Sequence, residues 1–166
     1  MDRIDHSFVD KLLEMAETDG SMRRNFIDSN KAWDSSVDED NQAKLMEIVR
    51  EAGWPIISRV GPEASRAAWL IVQHAPSLEF MEHCLELMEA LPAEEIDPAN
   101  IAYLKDRVLM MNGKPQVYGT QYQGTGDDMQ LWPVDDMGHV DERRASLGLD
   151  PIAENEARLR RVNKIN

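Results

Sequence analysis

Between residues 53 and 113 the chain is cut by proline and glycine into pieces of helix length, and this punctuation constrains the fold more than any other feature. Gly53-Trp54-Pro55, Gly61-Pro62, Ala75-Pro76, Pro92, Asp97-Pro98 and Asn112-Gly113 each mark a place where a helix starts or stops. Between the marks, apolar residues recur at helical spacing. A helix opened by Pro62 carries Ala67, Leu70, Ile71 and His74 on one face. The next is capped by Ser77 and presents Phe80, Met81, Cys84, Leu85, Leu87, Met88 and Leu91. A third starts at Asp97-Pro98 and runs through Ile101, Leu104, Val108 and Met111, with Asn112-Gly113 as a left-handed C-terminal cap. Stripes of this width must be buried against one another, so the body of the protein is expected to be packed helices.

The flanks extend the pattern. A first helix is expected from about Ser7, through Phe8, Leu12, Met15 and Ala16, to a break at Asp19-Gly20. Residues 21–34 are open, with Met22, Phe26 and Ile27 compatible with helix. Ser36 and Glu39 form a capping-box pattern ahead of Leu45, Ile48 and Val49, and "GWPIISRVGP" reads as a connector. After Gly113 the periodicity changes. Residues 116–123, with Val117, Tyr118, Thr120 and Tyr122, and the stretch "MQLWPV" read as two strands joined through "GTGDD". "HVDERRASLGL" then predicts a brief helix and Pro151 to Val162 a last one. The expected fold class is α+β, mainly α-helical: one domain over residues 1–166 with one short β-hairpin in the C-terminal third.

Composition narrows the function. The formal charge is −13, and of the 18 basic residues only 12 lie in positions 1–141, against 27 acidic ones. Binding to nucleic acid or an anionic membrane requires clustered Lys and Arg, so neither is expected; a basic protein partner fits better. The C-terminal stretch 142–166 is slightly basic and could lie back on the acidic body. No apolar run approaches the length of a membrane span, and the N-terminus lacks a signal-peptide pattern. Cys84 is the lone cysteine, which excludes an internal disulfide and fits a reducing cytoplasm.

Few residues carry recognisable chemistry. His74, at a helix C-terminus beside Gln73, is a candidate acid, base or ligand, or else a capping histidine. Asp106 and Arg107 are adjacent on a helix and point about 100° apart, so each meets its own partner and one could face His74. Asp19 and Arg23 suit an intrahelical ion pair, and Arg23 could clamp a carboxylate or phosphate if that segment turns inward. Gln116, Tyr118, Thr120 and Tyr122 would share one face of an extended strand, offering amide and hydroxyl groups for recognition. The four histidines are too scattered for a metal site. "GTGDD" matches no phosphate-binding fingerprint, so no cofactor is expected. Cys84 falls on an apolar stripe, where an inert thiol is expected.

Asp19, Arg23, Asn41, "GWP", Gly61, "WLIVQHA", "YLKDRV", "GKPQVYGTQ", Asp135 and "ERRASLGL" together resemble a bacterial family of uncharacterised proteins over about residues 8–150. The resemblance implies that Gln73, His74, Asp106, Arg107, Gln116, Tyr118, Thr120 and Gln121 form one signature set. Polar residues spread over three elements are explained by a common site. Two functions follow as expectations. One is a small cofactor-independent enzyme using acid/base chemistry on a small polar or peptide-like substrate, with His74 as acid or base and Asp106 orienting it. Arg107 would hold an anionic group, and Gln73 and the 116–121 strand would line the pocket. The other is an acidic, immunity-like binding module that neutralises a basic partner.

Overall fold

The computed structural model describes residues 6–29, 33–124 and 126–164. Among them the chain is mainly helical with one two-stranded hairpin in its C-terminal third. It divides into two compact units, residues 1–100 and 101–166. No helix among the described residues is long and apolar enough to cross a membrane.

Among its described residues the first unit contains helices α1 to α4. Helix α1 (His6–Ser29) does not break at Asp19-Gly20. Glycine in a helix interior costs about 1 kcal/mol relative to alanine, but the buried stripe Phe8, Leu12, Met15, Asp19 and Met22 runs straight across it, and Arg23 pairs with Asp19 one turn back. Burial and pairing outweigh the local propensity. Residues 30–32 of the segment left open by the sequence lie outside the described residues. Helix α2 (Ser35–Ala52) is capped by Asp34, whose carboxylate accepts from the Ser36 N–H at 3.1 Å and the Ser36 hydroxyl at 2.6 Å. The helix thus starts before the Ser36-Glu39 pattern, because an aspartate ahead of it takes the first free N–H. Gly53, at φ 75°, ends it.

Part of the expected connector is helical. Helix α3 (Ile57–His74) begins inside it and is kinked at Gly61, whose φ of 82° and ψ of 162° only glycine adopts readily. Trp54, Pro55 and Val60 are buried, so this stretch is core rather than surface linker. Helix α4 (Leu78–Glu89) follows, with the Ser77 hydroxyl accepting from the Phe80 N–H at 3.2 Å. The small residues Ala64, Ala67 and Ala68 are buried on α3, which packs on α1, α2 and α4, while α1 also packs on α2. Asn41 on α2 is buried and donates to the Met15 carbonyl of α1 at 3.2 Å, tying those two helices together.

The second unit opens in the first turn of helix α5 (Pro98–Met111), which ends at Gly113 with the expected left-handed conformation, φ 69°. The strands are shorter than the sequence suggests. Strands β1 (Tyr122–Gln123) and β2 (Gln130–Leu131) pair, antiparallel, with Tyr122 opposite Leu131, and Gln116 makes an isolated parallel bridge to Val134. Residues 117–121 form a loop instead, because Gly119 takes a φ of 65° and the N–H groups of Val117, Tyr118 and Thr120 turn to the Asp106 side chain. Thr125 in the intervening turn lies outside the described residues. Helix α6 (Val140–Ala145) and helix α7 (Ile152–Lys164) complete the unit and pack on each other. Helix α7 is tied to the hairpin region by Asn155, which donates to the Tyr122 hydroxyl at 3.2 Å, and by Arg160, which donates to the Met129 carbonyl at 3.0 Å.

Candidate functional site

In the first unit, His74 sits at the last position of α3, where the helix ends its 57–74 run one residue before Ala75-Pro76. Its Nδ1 lies 2.9 Å from Asp19 Oδ1 on α1. Asp19 is 2% exposed, whereas His74 keeps about a quarter of its side-chain surface. Arg23, one turn on from Asp19, brings Nε to within 3.1–3.2 Å of both Asp19 oxygens and Nη2 to within 3.1 Å of Oδ1. The same Nη2 donates to Asp38 Oδ1 on α2 at 2.7 Å. Three helices therefore contribute to one cluster of two carboxylates, a guanidinium and an imidazole.

The proton on the imidazole can be placed by elimination. Arg23 Nε also approaches His74 Nδ1, at 3.1 Å. One nitrogen cannot both donate to the carboxylate and accept from the guanidinium. A bare Nδ1 would set its lone pair against a buried carboxylate oxygen 2.9 Å away, while Arg23 Nε already has two carboxylate acceptors within reach. The proton thus belongs on Nδ1, donated to Asp19. Neutral His74 then presents an unprotonated Nε2, for which no partner occurs among the described residues. An imidazole held at one nitrogen by a buried carboxylate, with a quarter of its side-chain surface exposed, has the arrangement of a group that can take up and return a proton.

The electrostatics follow the same geometry. Burial alone pushes the Asp19 carboxyl up, but hydrogen bonds and charges from His74 and Arg23 outweigh it and hold the group below its ordinary value of 3.8. Asp38 is displaced the other way. Its burial, helped by the negative charge of Asp19, raises it despite Arg23 and His74. Gln73 beside the histidine is buried, and its Oε1 has no hydrogen-bond partner among the described residues.

The other signature residues lie in the second unit and form a network of their own. Asp106 is fully buried on α5. Its carboxylate accepts from the N–H groups of Val117 at 2.8 Å, Tyr118 at 3.1 Å and Thr120 at 3.1 Å, and from the Thr120 hydroxyl at 3.0 Å. Gln116 closes the ends of the same loop, donating to the Gln121 carbonyl at 2.9 Å and accepting from the Gln121 N–H at 2.8 Å. Gln121 Nε2 donates to the Thr120 hydroxyl at 3.1 Å. From α6, Arg144 donates to the carbonyls of Tyr118 at 2.8 Å and Gly119 at 3.3 Å, and Arg143 donates to that of Val117 at 2.9 Å. Buried loop backbone must find partners for both its N–H and C=O groups, and these side chains supply them. Arg107 is half-buried on α5.

The structure therefore brings His74 together with Asp19, Arg23 and Asp38, and brings Asp106 together with Gln116, Tyr118, Thr120 and Gln121. The carboxylate that orients His74 is Asp19. Asp38 and Arg144 escaped the sequence reading. Each is one charged residue among many in its stretch, and only the fold shows which of them turn inward. No grouping of three His, Cys, Asp or Glu side chains suited to a metal ion occurs among the described residues.

No curated protein and no solved structure is significantly similar to the chain. A family model does match, over residues 7–163, nearly the whole sequence. The chain belongs to that family, DUF6624, described as a family of unknown function.

Proposed function

We propose that the protein is a small enzyme in which His74, oriented by Asp19, acts as general base and then general acid. The observation that carries this reading is the 2.9 Å contact from a buried carboxylate to Nδ1, which leaves Nε2 without a partner among the described residues. Catalytic acid–base histidines are oriented in this way because the carboxylate fixes the tautomer and stabilises the imidazolium that forms. Among the described residues no serine, threonine or cysteine side chain is bonded to the histidine, so the proton it removes would come from water or from the substrate. Arg23 offsets one of the two carboxylate charges and, by bonding both, keeps the cluster assembled. The substrate would be small and polar or peptide-like.

The test begins with a thermal-shift screen of metabolites and short peptides on the wild type and His74→Gln, followed by turnover assays on every compound that stabilises the wild type. The reading requires turnover that falls by about 100-fold or more in His74→Gln and Asp19→Asn. Turnover that survives both substitutions would eliminate it. The formal charge of −13 supports a second reading, an acidic immunity-like module that neutralises a basic partner. A pull-down at low salt that returns no basic protein counts against that alternative.

A further inference from the structure

Two exposed aromatic rings stand beside the cluster. Phe26 near the end of α1 and Trp33 just ahead of α2 are each 45% exposed, and their rings meet edge to face, with centroids 5.4 Å apart and planes at 87°. Large aromatic side chains that remain this exposed contribute little to a core, yet these two are held in a defined relation. Arg23 packs on one of them, its guanidinium carbon lying 4.8 Å from the centre of the Trp33 ring. Arg23 therefore touches His74 and Asp19 on one side and Trp33 on the other.

The chemistry selects among ligands. One ring's edge meets the other's face, and both side chains keep 45% of their surface exposed; an exposed aromatic face attracts an organic cation, because it carries negative electrostatic potential. Trp33 already accepts one planar cation, the protein's own arginine. That arginine faces two carboxylates, Asp19 and Asp38, in a chain of net charge −13. An anionic ligand would meet this field unfavourably, and a neutral aromatic one would gain nothing from it. We propose that Phe26 and Trp33 form a subsite for a cationic side chain, a guanidinium or alkylammonium, and that the substrate of the Asp19–His74 centre is an arginine- or lysine-bearing peptide or amide. The proposal rests on the acid–base reading for the chemistry but not for the binding.

Nα-acetyl-arginine methylamide is the probe, with its citrulline analogue as an uncharged control of the same shape, titrated at low salt while the indole N–H resonances are followed by NMR. Saturable shifts are expected for the Trp33 indole with the arginine probe, with affinity about threefold or more weaker for citrulline. Followed on backbone amide resonances, which every variant keeps, binding should be lost in Trp33→Ala and Phe26→Ala, kept in Trp33→Phe, and kept in His74→Gln. Equal affinity for citrulline, no saturation, or full binding by Trp33→Ala overturns the subsite. The two readings separate cleanly. Arginine-probe binding that depends on Trp33, without His74-dependent turnover of any arginine or lysine peptide, upholds the subsite and removes the catalytic centre. His74-dependent turnover of an uncharged compound with no binding of the arginine probe does the reverse.

Discussion

Thr120 gives Asp106 two hydrogen bonds, one from its backbone N–H at 3.1 Å and one from its hydroxyl at 3.0 Å, although fourteen residues separate them. Asp106 is the hub on which the 116–121 loop is wound. Replacing it with asparagine keeps the shape but turns one acceptor oxygen into a donor facing N–H groups. Asp106→Asn should cost about 2–4 kcal/mol, since buried amides are left unmatched, whereas Thr120→Val removes the hydroxyl's bond to Asp106 and the one it accepts from Gln121 and should cost about 1–2 kcal/mol. Urea denaturation of the two variants checks the ordering. Equal losses would show that the carboxylate is not the hub.

Gly119 lies in the same loop at φ 65°, and a Cβ there would sit 2.5 Å from Ile152 Cδ1 on α7. Gly119→Ala therefore meets two obstacles, a left-handed backbone costing about 1–2 kcal/mol and a clash costing about 1–3 kcal/mol. The clash is with the far end of a flexible side chain. Ile152→Val, which removes that end, should recover the packing part and leave the backbone part. A double-mutant cycle in urea measures the split, and strict additivity would show that the two residues do not meet as the structure places them.

How much of this was legible follows from the range of the physics involved. The helices from Pro62 to Met111 were readable because their limits are set locally, by proline, by Ser77 and by the left-handed glycine at 113. Helix α1 was misjudged at Gly20, where a local preference was overridden by burial of Leu12, Met15, Asp19 and Met22 against neighbours distant in sequence. The 116–121 segment was misjudged for the same kind of reason. Its Thr and Tyr residues have the composition of a strand, but Asp106 and Arg144 draw its amides and carbonyls inward. His74 was picked out by residue type and helix-end position. Its partner Asp19 is 55 residues away, and no spacing rule connects them.

Acid should expose the role of Asp19. Its folded value is lowered, so the stabilisation it contributes is fully present above its unfolded value near 4 and fades as the pH falls through the lower folded value. Asp38, raised on folding, acts in the opposite sense and becomes less unfavourable as it takes up a proton. Asp19→Asn should thus be destabilised relative to wild type by about 2–3 kcal/mol at neutral pH. That gap should hold down to about pH 4 and close below it. Stability curves of both proteins from pH 7 to pH 2 provide the check, and a gap unchanged at pH 2 would mean that the carboxylate's charge is not what stabilises the cluster.

Cys84 offers a probe of the first unit's core. It is fully buried on α4, and burial pushes its thiol up to about 12. The reactive species is the thiolate, so at pH 8 the native protein holds almost none, and the sulfur is in addition shielded from any reagent. Iodoacetamide should therefore leave the folded protein unmodified and label it at a rate set by opening of the unit. That rate should rise with urea in step with the loss of helical signal. Substitutions that loosen α4, such as Met88→Ala, should speed the labelling by the factor that corresponds to their loss of stability, about 2–5 kcal/mol for a buried methionine. Rapid labelling of the native wild type at pH 8 would contradict the packing of α4 against α3 and place the thiol at a surface.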